Sequence, residues 1–324
     1  MSSFIIRRIL QTVVMLFITT FVTYVMMGLM PGDPLDIACN ANPHCSPENI
    51  AQMKKNLGLD KPITERYFVW LKAFVQGDMG YSRTYRKPVT EILGPRLWNS
   101  MVLGTLACLL SLLIALPLGV IAGSRSQSWL DYLVNFFCFL GISTPSFWLA
   151  LMFIYIFSVH LGWFPAGGSQ SIDLPPDASQ WEILSDRITH LVLPVSALAL
   201  LTVASWLRQT RSAVLQELSQ DYIRTARAKG LTWGRSIWVH AVRNALLPVV
   251  TVVALGFSIV FSGAVITETV FSFNGVGKLM YDSILGNDFN VAMCAFVISC
   301  VAVLLCNLAA DLIYAFLDPR IKVQ

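Results

Sequence analysis

The stretch DYIRTARAKGLTWGRSIWVHAVRNALLP, residues Asp221–Pro248, is a basic, partly amphipathic segment between two long apolar runs. Six of its side chains are charged, and hydrocarbon excludes such groups: Asp221, Arg224, Arg227, Lys229, Arg235 and Arg243. We therefore expect a loop at a membrane face, with membrane spans on either side. The whole chain agrees, because it is 55% hydrophobic and 13% charged, whereas a soluble domain carries about 25% charged residues.

Apolar runs of about 20 residues, the length that crosses a bilayer, predict an all-α integral membrane protein with six transmembrane helices. The six runs are Ile9–Met30, Ser100–Gly123, Tyr132–Val159, Ile188–Leu207, Leu246–Thr267 and Val291–Leu317. Pro145 lies inside the third run and predicts a kink or a tilt there. The fourth run contains Pro194, which a transmembrane helix tolerates.

Lysine and arginine in the short loops fall mainly on one set of faces, which predicts that these faces and both termini are cytoplasmic. The chain then divides into an N-terminal span (1–30), an extracytoplasmic loop (31–99), a core of spans two to six (100–317) with a cytoplasmic loop (208–245), and a tail (318–324). Apolar residues at helical spacing in Ile50–Leu57 and Tyr67–Val75 predict short helices that form a small outer cap. The second outer loop, Leu161–Arg187, is rich in proline and glycine and is expected to be irregular.

The net charge of +4 is small and spread over several loops, which indicates membrane topology rather than nucleic-acid binding. The seven cysteines show no metal-binding pattern, and five of them lie in apolar runs as small core residues. Cys39 and Cys45 lie close together in the first outer loop. A disulfide between them is the favoured expectation in an oxidising space, while free thiols or a metal contact with His44 stay open.

The quoted stretch and the residues before it predict a helix, a glycine break and a second helix. Arg211–Lys229 is expected to be one amphipathic helix, whose apolar face comprises Val214, Leu215, Leu218, Tyr222 and Ala226. Gly230 stands where a terminating glycine belongs, and Thr232 is expected to cap a second helix over Trp233–Asn244. Such a segment suits a docking surface for a soluble partner, although any cytoplasmic loop is basic and any helix must end.

The segment Gln220–Leu231 (QDYIRTARAKGL), followed by His240–Pro248 (HAVRNALLP), resembles the cytoplasmic coupling loop of ABC importer permeases of the oligopeptide, dipeptide and nickel branch. These are the binding-protein-dependent transport inner membrane components of type I. Further blocks of that branch follow in order along the chain: PGDP at Pro31–Pro34, LGLDKP at Leu57–Pro62, GDMGYS at Gly77–Ser82, PSFWLAL at Pro145–Leu151, LGWFPAGG at Leu161–Gly168, LVLP at Leu191–Pro194, GAVITETVFSFNGVG at Gly263–Gly277 and LDPR at Leu317–Arg320.

The chain departs from the family's pattern in two places. Arg224, Thr225 and Ala226 stand where the general importer loop carries Glu-Ala-Ala, and Asn274 stands where this branch usually has proline. The resemblance implies that the residues of the ATPase-coupling loop are Asp221, Tyr222, Arg224, Thr225, Ala226, Ala228, Lys229, Gly230, Leu231, Arg235, His240, Arg243 and Asn244. It also implies an outer gate that includes Glu268, Phe271, Gly275 and Gly277; an ordinary acidic interface residue is the alternative for Glu268.

The resemblance further implies a type I ABC importer permease fold in the bacterial cytoplasmic (inner) membrane. The chain would be a permease subunit that translocates dipeptides or oligopeptides by alternating access; nickel chelates, glutathione and other small peptide-like solutes are the alternatives. Its implied partners are a second homologous permease subunit, two ABC ATPase subunits, an extracytoplasmic solute-binding protein and the lipid bilayer. We expect no cofactor on this chain and ATP with Mg at the ATPase subunits, because Gly275–Lys278 lacks the spacing of a phosphate loop.

Two other function classes are weaker. An intramembrane hydrolase would need a nucleophile beside a base at membrane depth, and His160 and His190 lie near several serines in the sequence. We expect these to be interface histidines and helix-bonding serines. A passive channel does not explain the structured basic loop. Asp311, inside the last run, is expected to hydrogen-bond a neighbouring helix through a serine, threonine or tryptophan, and a group in the transport pathway is the alternative.

Overall fold

The computed structural model describes residues 2–29, 60–261 and 264–317. Within those ranges the regular structure is helical, apart from one isolated bridge between Tyr81 and Pro88, so the all-α prediction is confirmed there. The predicted Cys39–Cys45 disulfide, the predicted helix at Ile50–Leu57 and the tail 318–324 lie outside the described residues.

The described helices run in chain order as α1 Ser2–Gly28, α2 Ile63–Val75, α3 Val89–Ser124, α4 Trp129–Ser143, α5 Ser146–Phe153, α6 Gln180–Leu218, α7 Asp221–Ala228, α8 Trp233–Arg235, α9 Val242–Phe261, α10 Val265–Val270, α11 Val276–Leu285 and α12 Phe289–Leu317. Two π-helical stretches extend them. Ile154–His160 continues α5, and Ser236–Ala241 joins α8 to α9.

Four described helices are long and apolar enough to cross a membrane: Ile6–Gly28 of α1, the whole of α3, the whole of α6, and Phe289–Leu312 of α12. The bent pair of α4 with α5 is a fifth candidate. With 36 and 39 residues, α3 and α6 are about 54 and 58 Å long, well above the roughly 30 Å of hydrocarbon. The apolar runs in the sequence therefore mark only the C-terminal part of α3 and the middle of α6.

The third predicted run is broken rather than kinked. The axis of α4 and that of the segment Ser146–His160 differ by 103°. Thr144 and Pro145 both have extended backbone between them, since a residue before proline avoids the helical region and proline itself offers no N–H. The sequence correctly predicts the position of the bend at Pro145 and underestimates its size.

Helices α3 and α6 form the centre of the bundle, and their contact is the most extensive between any two helices described. Glycines on α3 make it possible. A Cβ on Gly119 would lie 2.6 Å from Cβ of Thr210, and one on Gly123 would lie 2.8 Å from the carbonyl oxygen of Arg211. The backbones of the two helices therefore approach more closely than any larger residue allows.

Helix α2 confirms the helical spacing predicted for Tyr67–Val75. Its Tyr67 is fully buried, with the hydroxyl 2.8 Å from the Thr20 hydroxyl of α1 and its ring edge-on to Phe21 and Tyr24. This aromatic cluster fastens α2 to α1 and, through Phe289, to α12.

An ion pair joins the first and last described helices. Nε of Arg8 lies 3.2 Å from Oδ2 of Asp311. The helix-to-helix role predicted for Asp311 is therefore confirmed, but the predicted kind of partner is wrong, because the side chain that reaches it is an arginine. Residues 8 and 311 consequently lie on the same face of the bundle.

The second outer loop is shorter than predicted. Residues 161–179 are irregular, but α6 begins at Gln180 and includes Arg187. A capping box starts the helix early. The hydroxyl of Ser179 accepts a hydrogen bond from the backbone N–H of Glu182, and the Glu182 carboxylate accepts one from the backbone N–H of Ser179.

Candidate functional site: the helical connector between α6 and α9

The connector, residues 219–241, begins with a break that the sequence pattern did not predict. The single helix expected over Arg211–Lys229 is wrong: α6 ends at Leu218 and α7 begins at Asp221. Gln220 is extended, with ψ of 149°. The Ser219 hydroxyl donates to the carbonyl of Gln216 at 2.7 Å, the kind of local bond with which serine competes against a helix.

Helix α7 is anchored by Ile223, which is only 2% exposed. Sequence reasoning missed this residue and placed Tyr222 on the buried face instead, although Tyr222 is exposed. The available signal was composition, because Ile223 is the only large aliphatic side chain in DYIRTARA. Because the break rotates α7 relative to α6, a periodicity carried on from α6 assigns the wrong face.

Gly230 ends the first half of the connector, as predicted. Its φ is +88°, its N–H donates to the Arg227 carbonyl at 2.9 Å, and the N–H of Leu231 donates to the Ala226 carbonyl at 3.3 Å. These are the two hydrogen bonds of a Schellman motif, in which a glycine ends the helix. A Cβ would meet nothing within 4 Å, so the requirement for glycine here comes from the backbone angle alone.

The second helix starts where predicted but does not end there. Thr232 is extended before α8, although its side chain makes no capping bond; its carbonyl accepts from the N–H of Ser236 at 2.9 Å. The predicted end at Asn244 is wrong, since α8, the π-helical stretch and α9 follow one another without interruption to Phe261. The connector is thus rigidly continuous with the helix that follows it.

The outward face of the connector is charged and exposed. Arg224 and Asp221 form an ion pair at 3.3 Å, with side chains 78% and 93% exposed, and such pairs contribute little to stability. The other exposed residues of the predicted coupling loop are Tyr222, Thr225, Ala228, Lys229, Gly230, Arg235, Arg243 and Asn244, while Ala226, Leu231 and His240 are half-buried. These charges are therefore available to a second protein.

An open pocket of about 660 Å³ lies in the bend of the connector. Its lining is Leu218, Ile223, Arg224, Arg227, Leu231, Thr232 and Trp233. The guanidinium of Arg227 lies over the Trp233 ring, 5.0 Å from its centroid, which is a cation–π distance. The pocket therefore brings two arginines together with four apolar side chains.

A short hydrogen-bonded chain ties the connector to its neighbours. The Tyr222 hydroxyl donates to the Glu217 carboxylate on α6 at 2.5 Å and accepts from the Asn244 amide on α9 at 3.0 Å. Burial, followed by the bond to Glu217, raises the pKa of the Tyr222 hydroxyl. Asn244 thus joins the connector to α9. Arg243 is exposed and His240 is half-buried, and their place in the coupling loop stays a prediction.

Asp131 is a further buried charge close to this end of the bundle, and the sequence did not single it out. It lies in the first turn of α4, and Arg211 of α6 holds its carboxylate with two hydrogen bonds of 2.5 and 2.7 Å. The two residues are 80 positions apart, so no local pattern joins them.

The residues predicted for an outer gate also come together, around Glu268 of α10. Its carboxylate is fully buried and accepts hydrogen bonds from the Ser100 hydroxyl at 2.6 Å and the backbone N–H of Lys278 at 3.0 Å. A Cβ on Gly275 would lie 2.4 Å from that carboxylate. Glu268 therefore links α10, the start of α11, and α3, and sequence reasoning missed Ser100.

The other two gate residues support this cluster. Phe271 is 1% exposed, and its carbonyl accepts from the N–H of Gly168 at 2.9 Å. A Cβ on Gly277 would lie 2.9 Å both from Glu268 Oε2 and from the Val265 Cα. The loop at Gly168 is thereby fixed to the end of α10. A gating movement of these residues remains a prediction.

The described residues give the hydrolase alternative no support. Nδ1 of His190 lies 2.9 Å from the Asp186 carbonyl, and the Ser171 hydroxyl donates to the Asp186 carboxylate instead of a histidine. Over residues 2–29, 60–261 and 264–317, no group of three or more His, Cys, Asp or Glu side chains could hold a metal ion.

Two family descriptions match this chain. "Binding-protein-dependent transport system inner membrane component" matches residues 115–323, and the N-terminal part of the same kind of component matches residues 1–103. The blocks of sequence that carry the resemblance all lie within these two matched ranges.

Curated relatives match over the full length. The chain is 40% identical over 323 residues to the oligopeptide transport system permease protein AppB of Bacillus subtilis, covering 99% of this chain and 100% of the relative. It is 37% identical over 338 residues to the dipeptide transport system permease protein DppB of Escherichia coli K12, covering 99% of each. The di/tripeptide permease protein DppB of Pseudomonas aeruginosa is 36% identical, with 100% of both chains covered.

A solved structure supports the fold. A chain of the MetNI methionine ABC transporter, in an inward facing conformation, superposes with a TM-score of 0.54 at 17% identity, covering 71% of this chain and 97% of that one. The predicted family is confirmed by the two matching descriptions and the full-length relatives. This chain is a membrane-spanning member of the binding-protein-dependent transport system inner membrane component family.

Proposed function

We propose that this chain is a permease subunit of an ATP-driven ABC importer that carries dipeptides or oligopeptides across the bacterial inner membrane. The observation that carries the proposal is the connector, a glycine-bent pair of helices with exposed arginines beside an open pocket. A passive channel or carrier would not need a rigid, charged helical connector of this kind. Full-length relatives named as oligopeptide and dipeptide permeases support the peptide cargo.

The proposed partners follow from the same reasoning. Two ABC ATPase subunits would bind ATP with Mg and hydrolyse it, and one of them would receive the connector of this chain. A second homologous permease subunit would complete the translocation pathway, and an extracytoplasmic solute-binding protein would deliver the cargo. This chain itself would bind no cofactor.

The proposed membrane architecture has six spans. Helix α9 supplies the remaining one, since its 20 residues make about 30 Å of helix, enough to cross the hydrocarbon. The Arg8–Asp311 pair supports placing both termini on one side, and the arginine-rich connector supports assigning that side to the cytoplasm. Helix α2, with the rest of residues 31–88, would form the outer cap, since α3 already begins at Val89.

In the proposed cycle, the connector converts a movement of the ATPase subunits into a movement of α6 and α9. The break at Ser219–Gln220 leaves α7 as a separate unit, and its buried Ile223 and the Tyr222 hydrogen bonds hold it against its neighbours. Because α8 continues directly into α9, a push on the connector reaches both long helices. The Glu268 cluster, at α10 and α11, would respond as the outer gate.

Import into proteoliposomes tests the proposal. The chain is reconstituted with a second permease, the ATPases and the binding protein of its system, and uptake of a radiolabelled dipeptide is followed with and without ATP. We expect that uptake requires ATP and that unlabelled dipeptides reduce it by competition. Ala226→Asp, which puts a charge on the half-buried side of α7, should abolish uptake while the protein stays in the membrane.

Uptake that persists without ATPase subunits would refute the proposed mechanism and indicate a passive carrier. Competition by a nickel chelate or by glutathione, in place of dipeptides, would replace peptide as the cargo and leave the rest of the proposal intact.

A further inference from the structure

The structure assigns a second task to the Asp131–Arg211 ion pair: we propose that it forces α4 to move with the connector end of α6, so that both residues are positioning residues for transport. This inference rests on the proposed function. It concerns two side chains that lie outside the connector and outside the Glu268 cluster.

The geometry of the pair fixes the relative orientation of the two side chains as well as the distance between them. Arg211 donates from Nε to Asp131 Oδ1 at 2.5 Å and from a terminal nitrogen to Oδ2 at 2.7 Å. The side chains of Asp131 and Arg211 are only 4% and 21% exposed. A two-point fork between planar groups resists rotation, and separating the pair would leave the nearly buried Asp131 carboxylate without its counterion.

The carboxylate is also held firmly on its own side. The backbone N–H of Gln127 donates to Oδ2 at 3.0 Å, and the amide of Asn135 donates to Oδ1 at 2.9 Å. The N–H of Asp131 itself donates to the capping hydroxyl of Ser128 at 3.3 Å. Asp131 is therefore a rigid part of the start of α4, and Arg211 reaches it from a different helix.

Arg211 stands close to the connector along a continuous helix. It lies seven residues before the end of α6 at Leu218, about 10 Å at 1.5 Å per residue, and α7 begins three residues later. The tight contact at Gly123, whose Cβ would lie 2.8 Å from the Arg211 carbonyl, keeps this part of α6 straight against α3. Across the break at Ser219–Gln220, the Tyr222–Glu217 hydrogen bond joins α7 to α6, so a displacement of α7 would reach Arg211 through the end of α6.

Helix α4 meets α6 at both of its ends, by different means. Near the C-terminal end of α4, away from the connector, a Cβ on Gly141 would lie 2.9 Å from Cβ of Ala204. Contacts between such small apolar surfaces allow the two helices to slide past each other. The ion pair at the N-terminal end of α4 does not allow sliding, since sliding would separate a buried charge from its partner. Between these points, Cys138 and Val134 of α4 belong to one apolar cluster with Val203, Trp206 and Leu207 of α6. The fork adds a directional, charged contact to this apolar packing.

A shift of α4 would be transmitted through α5 to α10, at the opposite end of the bundle. After the 103° bend at Pro145, the chain continues as α5, and α5 packs against α10, which carries Glu268. The ion pair therefore stands between the connector and the Glu268 cluster. Spatial position alone does not establish coupling, so the test measures coupling directly.

The test compares moles of dipeptide imported per mole of ATP hydrolysed in the complete reconstituted complex. Arg211→Gln removes the charge and the fork, Arg211→Lys keeps the charge and loses the fork, and Asp131→Asn keeps the shape of the acid. Arg125→Gln, at an exposed arginine just before α4, is the matched control. We expect the ratio to fall at least fivefold for Arg211→Gln and Asp131→Asn, to fall by less for Arg211→Lys, and to stay unchanged for Arg125→Gln.

A purely structural role predicts something else. Import and ATP hydrolysis would fall together at a constant ratio, and that result overturns the inference. If Arg211→Gln and Asp131→Asn fail to assemble, the milder Arg211→Lys decides by the same ratio, and its failure to assemble also counts against the inference. Absence of ATP-dependent import in the unaltered complex would instead refute the proposed function itself.

Discussion

Gly230 and Gly234 offer a matched pair of substitutions within the connector. Both glycines are exposed, and a Cβ on either would meet nothing within 4 Å. They differ in backbone angle, because Gly230 has φ of +88° whereas Gly234 lies inside the helical turn α8. Replacing each by alanine therefore changes the backbone energy and leaves packing untouched.

The size of the effect follows from those angles. Alanine in the left-handed region costs about 1–2 kcal/mol relative to its usual conformation, so Gly230→Ala disfavours the bent connector by that amount. Gly234→Ala favours the helical turn by about 0.5–1 kcal/mol. If the ATPase subunits bind only the bent form, their affinity should fall about 5- to 30-fold for Gly230→Ala, and should hold or rise slightly for Gly234→Ala.

The assay is a titration of purified ATPase subunits onto the permease pair in lipid nanodiscs, with dipeptide import measured in parallel. Gly230→Ala should weaken binding and import together, while the amount of protein in the membrane stays normal. Equal behaviour of the two variants would refute the argument that the left-handed bend at Gly230 shapes the docking surface.

Three further substitutions test other parts of the structure. Ile223→Ala removes the buried anchor of α7 and should destabilise the connector by about 2–5 kcal/mol, seen as faster proteolysis there, whereas Leu215→Ala, at a side chain 38% exposed, should have a smaller effect. Gly275→Ala forces a Cβ against a buried carboxylate and should lower thermal stability by about 1–3 kcal/mol, unlike Gly94→Ala, which has open space. Tyr222→Phe removes the hydroxyl bridge between α6 and α9 and should cost about 0.5–1.5 kcal/mol, measured by hydrogen exchange.

Each of these has its own contrary result. Equal proteolysis of the Ile223 and Leu215 variants would mean that α7 is not anchored where the structure places it. An unchanged melting temperature for Gly275→Ala would rule out the tight approach to Glu268. Exchange in the connector that is unaffected by Tyr222→Phe would show that the hydroxyl chain does not hold it.

Local signals in the sequence correctly predicted the features that depend on one or two residues. The bend at Pro145 and the helix end at Gly230 follow from restrictions on the backbone of proline and glycine, which act wherever those residues stand. The family was likewise predictable, because its short blocks recur in order over nearly the whole chain.

Features that depend on packing between distant parts of the chain escaped prediction. The break at Ser219–Gln220 involves residues that a helix tolerates, and it is the burial of Ile223 that makes a separate α7 favourable. Arg211 and Asp131 are 80 residues apart, and Arg8 and Asp311 are 303 apart, so neither pair has a local signature. The true lengths of α3 and α6 were also hidden, because their polar ends lie beyond the apolar runs.

The central claim is that the connector docks an ATPase subunit from the cytoplasmic side, and site-directed cross-linking tests it most directly. Lys229→Cys, at an exposed position beside the bend, is labelled with a short photoactivatable thiol reagent in the assembled complex, and the Arg125→Cys variant serves as the control. The account predicts a Lys229-dependent adduct with an ATPase subunit, lost in the Gly230→Ala background. Adducts formed only with the extracytoplasmic binding protein, or labelling of Lys229→Cys by an impermeant reagent added outside intact cells, would contradict it.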